Sequence, residues 1–322
     1  MESVEFLSQL KSSRAINDKD LINYDSEFAI IKGQVDYKEN LQVRLLRNSG
    51  KRVYANDLLL RKQSDIKNYI RSVSFSSSDI NIVKGEPSFR RLWLDKVVSQ
   101  IEPVYIELLS RFNKLLKQRS YFWRNDISSN IGSDSLLDSF DDQIALLGTR
   151  IFRRRRRAIE KLRPFIEYWH NYLSKEKEKV SIEYLSSIEV RDDDDEKALK
   201  NKFLQKLQNQ RKIESITGKC SVGPHRDDVQ FIINKNSVRK FGSSGQQRTI
   251  ILALKMAELD LLKKIISVDP ILILDDVLAE LDIVRQSLLL DAVGSTSQCL
   301  ISATHLDKFN KDFLKNSQII YL

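Results

Sequence analysis

Ile271-Leu272-Ile273-Leu274-Asp275-Asp276 sets four apolar residues ahead of two carboxylates, the text of a buried strand that ends in acid. Open α/β sheets bind ligands beyond the carboxyl ends of their strands, so Asp275 and Asp276 stand where a nucleotide phosphate and its Mg²⁺ would sit. One carboxylate can hold the water shell of the metal while its neighbour orients an attacking water. The same residues also read as a plain strand and turn, and their surroundings decide between the two readings.

Some thirty residues upstream runs Phe241-Gly242-Ser243-Ser244-Gly245-Gln246-Gln247-Arg248-Thr249, followed by Ile250, Leu254, Ala257 and Leu261 at helical spacing. A glycine turn at a helix start is an anion site, because free backbone N–H groups and the positive dipole end face outward, Gly245 permits close backbone approach and Ser243 adds a hydroxyl. An ordinary helix cap would look the same. Downstream, Leu278-Ala279-Glu280-Leu281-Asp282 follows the carboxylate pair, and Ser302-Ala303-Thr304-His305 closes another apolar strand with a polar ring at its end.

In this order and spacing the four elements resemble the head of an ATP-binding-cassette ATPase. Within that superfamily the chain resembles the RecF family in Gly223-Pro224-His225-Arg226-Asp227-Asp228, in Ser243 to Thr249, in Asp275 to Asp282, and in the upstream strings Lys84 to Asp95 and Leu116 to Arg119. The likeness covers nearly the whole chain and is weakest from 125 to 215. The resemblance implies that Ser243, Gly245 and Gln246 contact ATP held by a partner protomer and that Asp275 is the Mg²⁺-associated carboxylate. It makes Asp276 the catalytic base, Asp282 the dimer-contact aspartate and His305 the switch histidine. Most cassette ATPases carry Glu where Asp276 stands; RecF-like proteins carry Asp. The string Gly223 to Asp228 yields no chemistry from first principles, and a turn pairing Arg226 with Asp227 or Asp228 is its plain account.

Two parts of the pattern are missing. No stretch matches Gly-x-x-x-x-Gly-Lys-Ser/Thr, the cradle whose backbone N–H groups and lysine hold the β- and γ-phosphates. Gly218-Lys219-Cys220 has Cys in the hydroxyl position, and Gly50-Lys51-Arg52 lies in a hairpin turn. Met1 to Leu7 resembles the helix that directly follows the phosphate loop, so the expectation is a head whose chain begins just past its own cradle. The glutamine-bearing loop of the family also has no counterpart, since Val73 to Ile80 contains no Gln.

These residues need elements to hold them. Strand-like text at Phe28 to Val35 and Leu41 to Leu46, with a turn at Asn48 to Lys51, gives way to helical spacing from Ser88 to Trp123, where Pro103 either kinks one helix or separates two. A polar loop is expected over 125–139, a second helix over about 141–179 and a third near Leu199 to Ile213. Strands alternating with helices return from Val229, and Ile271 to Leu274 and Leu300 to Ala303 have the text of buried parallel strands. The expected fold is α/β, an ABC-type P-loop NTPase head incomplete at its N-terminus, with an inserted α-helical arm. The head would hold residues 1–85 and 215–322, and the arm 86–214.

The arm is basic. Residues 110–163 contain 13 Lys or Arg and six acids, a local excess of +7 within a chain of 322 residues and net charge +9. Arg153, Arg154, Arg155, Arg156 and Arg157 point around most of a helix, so some reach a phosphate backbone whichever face is buried, and sequence-independent contact with duplex DNA is expected. Solvated arginines paired with nearby acids are the rival account. The acidic run Asp192 to Glu196 reads as a solvated loop or helix start rather than a metal site.

Two isolated cysteines exclude a disulfide framework, and no apolar run approaches the roughly 18 residues of a membrane span, so a cytoplasmic protein without membrane contact is expected. The resemblance implies ATP and Mg²⁺ as cofactors, an ATP-dependent homodimer, and RecR and RecO as partners at gapped or single-stranded DNA, where recombinase loading is aided. A non-hydrolysing DNA-binding adaptor is the alternative. Chromosome-maintenance heads fit less well, because they carry far longer coiled coils than about a hundred arm residues.

Overall fold

The computed structural model describes residues 1–12, 15, 17–124, 133–175, 177–266, 269–278, 281–293, 298–305, 309, 311–315 and 317–321. In chain order, α1 (Glu2–Gln9) precedes four strands, β1 (Phe28–Val35), β2 (Glu39–Leu46), β3 (Gly50–Ala55) and β4 (Leu58–Leu59), and then β5 (Ser72–Ser76). Helices α2 (Ile80–Lys84), α3 (Pro87–Ile101), α4 (Tyr105–Arg124) and α5 (Ser133–Ser174) follow, with β6 (Val180–Leu185), α6 (Glu196–Thr217), β7 (Asp228–Ile233), β8 (Asn236–Ser237) and α7 (Val238–Phe241). The chain continues through α8 (Ser244–Ile265), β9 (Ile271–Asp275), α9 (Ile283–Val293), β10 (Cys299–Ser302) and α10 (Lys311–Lys315).

The chain forms two compact units, one of Met1–Val83, Phe165–Val180 and Phe241–Leu322, the other of Lys84–Pro164 and Ser181–Lys240. Compared with the division drawn from sequence, residues 165–180 group with the first unit and 215–240 with the second. The reasons are local. Trp169 donates its indole N–H to Asp260 of α8 at 2.7 Å, and β7 packs on α3 with the Trp93 and Phe231 rings 5.9 Å apart.

The first unit holds two sheets. β1 to β4 form an antiparallel meander. Its last hairpin turns on Asn56 and Asp57, both with positive φ, the geometry that matches strand twist in a two-residue loop. Phe6 and Leu7 of α1 pack with Leu41, Val43, Leu45 and Val53 from this sheet. The second sheet is parallel, in the order β10-β9-β5. Residues Ile250 to Leu254, Met256 and Ala257 of α8 are all buried, so this helix is apolar around most of its circumference, as an interior helix must be.

The second unit contains α3, α4, most of α5, α6 and the sheet β6-β7-β8. Pro103 falls between α3 and α4, so of the two expectations the chain takes the break. The expected loop over 125–139 is corrected in its second half, because α5 already begins at Ser133; residues 125–132 lie outside the described part. Inside this unit Arg119 is fully buried and donates to Asp141 at 2.8 Å and to Glu214. Asp141 also accepts from Arg211 at 2.6 Å, tying α4, α5 and α6 together. No described helix is long and apolar enough to cross a membrane.

Candidate functional site

The carboxylate pair is set by strand register. β9 lies between β5 and β10, with Ser76 and Ser302 both level with Asp275. The Ser302 hydroxyl donates to Asp275 Oδ1 at 2.8 Å and its oxygen accepts the backbone N–H of Asp276 at 2.9 Å. One serine on the neighbouring strand therefore fixes both acids. Asp276 has φ 56°, a left-handed conformation that short polar side chains tolerate, and its carboxylate is exposed as the chain leaves the sheet. His305 is exposed three residues beyond Ser302.

The glycine turn is an N-terminal cap. Ser243 Oγ accepts the Gln246 N–H at 3.2 Å, while Gln246 Oε1 accepts the Ser243 N–H at 2.8 Å, a reciprocal capping box at the start of α8. Gln246 also donates to Glu178 at 2.7 Å. A Cβ on Gly245 would meet only Arg285 Nη2 at 3.8 Å and Ser243 Oγ at 3.9 Å, so the turn is open.

Arg285, which the sequence did not mark, joins this turn to Asp282. Its Nε donates to Thr249 Oγ1 at 2.8 Å, its guanidinium pairs with Asp282, and its backbone N–H donates to Asp282 Oδ1 at 3.0 Å. The backbone N–H and then the guanidinium hold the Asp282 carboxyl below its ordinary range. Ala279 and Glu280, in the same string, lie outside the described residues. None of these hydrogen bonds links Ser243, Gly245 or Gln246 to Asp275, Asp276 or His305, so the candidate residues fall into two groups. In the same unit, Lys255 of α8 is buried against Asp79 at 3.1 Å. Burial opposes its charge, but Asp79 and Glu258 hold the ammonium above its ordinary pKa. Asp79 lies in Val73 to Ile80, the segment without a glutamine.

The arginine run divides. Arg155 is 2% exposed; it donates through Nε and Nη2 to Asp95 at 2.8 and 2.9 Å and through Nη1 to the Pro224 carbonyl at 2.6 Å. Its inclusion among DNA-facing residues is therefore corrected: on the helix face turned inward, a buried ion pair holds it. Arg119, also counted in the basic arm, is buried in the same way. Arg156 pairs with Glu160 and Asp192 at 3.0 and 2.8 Å. Arg154 and Arg157 share Glu102 at 2.9 and 3.5 Å, and Arg150 and Arg153 share Glu196, the former at 3.7 Å.

The string Gly223 to Asp228 proves to be a structural joint. Asp228 takes a two-pronged ion pair from Arg90 at 2.6 and 2.9 Å. The Asp227 side chain accepts from the Tyr184 hydroxyl and the Ser187 N–H, both at 2.6 Å, while its carbonyl accepts from Arg91 at 2.8 Å. Arg226 does not pair with either acid but donates to the Cys220 carbonyl at 2.8 Å. Gly223 has φ 128°, which a side chain could adopt only under strain. Two distant family-like strings, Lys84 to Asp95 and Gly223 to Asp228, thus meet through Arg90, Arg91 and Arg155, a pairing no single-sequence pattern could signal. The acidic run behaves as a helix start, with Asp195 capping α6 through the Ala198 N–H at 2.7 Å. Among the described residues no group of acids, His or Cys forms a metal cluster. Burial pushes the Cys220 and Cys299 thiols up to about 11 and about 12, so neither is a ready thiolate.

For a bound nucleotide, the open Ser243 turn, the half-buried Asp275 and the exposed Asp276 at the end of β9 have the chemistry to meet phosphate and hydrated Mg²⁺. The Gly-x-x-x-x-Gly-Lys-Ser/Thr cradle does not occur in the 322 residues. A parallel sheet with an acid-tipped central strand, beside a Ser-capped helix, defines an ABC-type P-loop ATPase head with additional helices.

No protein-family model matches the sequence. The DNA replication and repair proteins RecF of Synechococcus sp. (strain CC9605) and Parasynechococcus marenigrum (strain WH8102) are both 43% identical to this chain, each aligned over 99% of it and 88% of their own length. The solved structure described as the recombination mediator protein RecF-ATP in the RecFOR pathway superposes with a TM-score of 0.87 at 30% identity, covering 95% of this chain and 82% of that one. The chain belongs to the RecF family of DNA replication and repair proteins. It also superposes on the RecF-ATPrS structure with a TM-score of 0.85 at 30% identity, covering 94% of this chain and 82% of that one.

Proposed function

We infer that this protein is a DNA-binding ATPase of recombinational repair and replication restart in the cytoplasm. It grips DNA at single-strand gaps and aids recombinase loading, with RecR- and RecO-like mediators, through ATP-dependent dimerisation. The observation that carries this reading is the Ser302-bridged pair Asp275 and Asp276 at the end of β9, in a chain whose solved relatives are named with ATP. In the proposed site Asp275 holds the Mg²⁺ water shell and Asp276, exposed and held at its backbone N–H by Ser302, takes the proton of the attacking water. Bound Mg²⁺ and ATP supply the electrophilic phosphorus and neutralise its negative charge. Ser243, Gly245 and Gln246 offer the α8 N-terminus to nucleotide on a second protomer, with Asp282 at the same contact, while His305 serves beside Asp276 as the switch histidine. The first unit, with residues 1–83, 165–180 and 241–322, serves as head and the second unit as arm.

A second reading is favoured by the formed, open Ser243 turn: a non-hydrolysing adaptor that donates this turn to another protomer. ATP binding and sedimentation velocity distinguish them, on the chain alone and mixed with the RecF protein solved with ATP. ATP-induced self-association supports the ATPase, whereas association only in the mixture supports the adaptor. Association in neither case removes both. Gly245→Ala should abolish the association while leaving the thermal midpoint unchanged or higher, since the added methyl meets only ordinary contacts and alanine favours helix.

A further inference from the structure

On the arm, α4 and α5 border a cavity of about 460 Å³ lined by Arg111, Arg150, Arg153, Arg154, Arg157 and Glu196. Arg150, Arg153, Arg154 and Arg157 are spaced i, i+3, i+4 and i+7, one face of α5. The groove therefore selects differently from the arginine run: it takes Arg150 from outside the run and omits Arg155 and Arg156. The four side chains remain 47%, 42%, 28% and 51% exposed. Five guanidiniums face three carboxylates, Glu102, Glu107 and Glu196, leaving a local excess of two positive charges.

Two of those carboxylates are placed distinctively. Glu196 bridges Arg150 and Arg153, and Glu102 bridges Arg154 and Arg157. Each sits between a pair of guanidiniums on the same helix face, in the position a phosphate oxygen would take in a bridging contact. These pairs are part-exposed, and such pairs are weak enough for an incoming phosphodiester to displace them.

We propose that this groove binds the phosphate backbone of DNA and that Glu102 and Glu196 are built-in competitors for it. They hold the four arginines spread and oriented in the free protein, and they limit affinity because each phosphate must first release a carboxylate. This rests on the reading that the arm binds DNA. Its consequence is counterintuitive for a basic surface: the binding strength is set by two glutamates and is raised by neutralising them.

The test is fluorescence anisotropy with a gapped duplex over a range of NaCl concentrations, on the 322-residue protein, the double variant Glu102→Gln/Glu196→Gln and the double variant Arg153→Gln/Arg157→Gln. Neutralising the glutamates should tighten binding about three- to ten-fold and steepen the salt dependence, as two added net positive charges release more counterions. Neutralising the arginines should weaken binding by a similar factor and flatten the slope. Unchanged or weaker binding by the glutamate variant, beside a loss in the arginine variant, overturns the competition while leaving DNA as the ligand. If the arginine variant binds as well as the parent, the underlying DNA reading fails with it. An acidic peptide that displaces the duplex from the groove and outbinds it at equal charge would assign the surface to a protein partner and also overturn the proposal. Circular dichroism melting of both variants confirms that each is folded.

Discussion

Arg155 and Arg157 are two residues apart on one helix and have opposite physical roles. Arg155 is buried with a two-pronged pair to Asp95 and a carbonyl contact, so Arg155→Ala leaves a carboxylate largely shielded from water without its cation and should cost about 3 kcal/mol. Arg157, exposed and loosely paired to Glu102, should change stability by less than about 0.5 kcal/mol when replaced by Ala. Urea denaturation of the two variants measures both, and equal losses would refute the distinction. His225 gives a pH signature. Burial, with the nearby Arg226 and Arg91 charges, pushes its imidazole from an ordinary 6.5 down to about 4. Between those values the unfolded chain binds a proton that the folded chain refuses, so this contribution is complete above pH 6.5 and is lost as the pH falls towards 4. The shift corresponds to about 3 kcal/mol at most. His225→Gln should therefore narrow the difference in unfolding free energy between pH 7 and pH 4.5; an unaltered difference would show that His225 is not its source.

Helix ends carry much of the proposed chemistry at the scale of elements. α6 and α8 are both capped by a short polar side chain, Asp195 and Ser243. Replacing either cap with Ala should cost about 1 kcal/mol, seen as similar falls in thermal midpoint. Only Ser243→Ala should also impair ATP-dependent association, because its turn is open and is paired with Arg285 and Asp282 through Thr249. If Asp195→Ala impaired association equally, the effect would belong to helix stability and not to the turn. The parallel sheet shows the same economy of means: the register that sets Ser302 level with Asp275 is what lets one hydroxyl hold two acids. Much of this was legible beforehand. The β1 and β9 spans, the cap at Ser243 and the helix start at Asp195 follow from alternation, apolar runs and capping residues. The extent of α5 did not, since Ser133 to Ser139 are polar enough to read as loop, while Leu137 is buried there and packs with Phe122 and Trp123.

Across the whole molecule, charge distribution matters more than total charge. The net +9 would support non-specific polyanion binding anywhere on the surface, yet the arm concentrates it. Lys32→Glu/Lys38→Glu, on the meander of the first unit, lowers the net charge by four, from +9 to +5. Arg153→Glu/Arg157→Glu lowers it by the same four. Only the arm variant should lose most of its DNA affinity and flatten the dependence on salt, by roughly one unit of slope per lost phosphate contact. Matched losses in a binding titration would make the effect one of overall charge.

By itself the sequence determined the α/β class, the acid-tipped strand, the capped glycine turn and the family, because these depend on local pattern: apolar runs, capping residues and strings of fixed spacing. Only the tertiary structure decided which arginines face solvent. Five adjacent guanidiniums are identical in a sequence, and a helix turn of about 100° per residue, together with the carboxylates that distant segments bring near, separates Arg155 from its neighbours. Tertiary structure likewise turned Gly223 to Asp228 from a string without chemistry into the joint that receives Arg90, Arg91 and Arg155, since an ion pair between residues 138 apart in the chain has no periodicity to announce it.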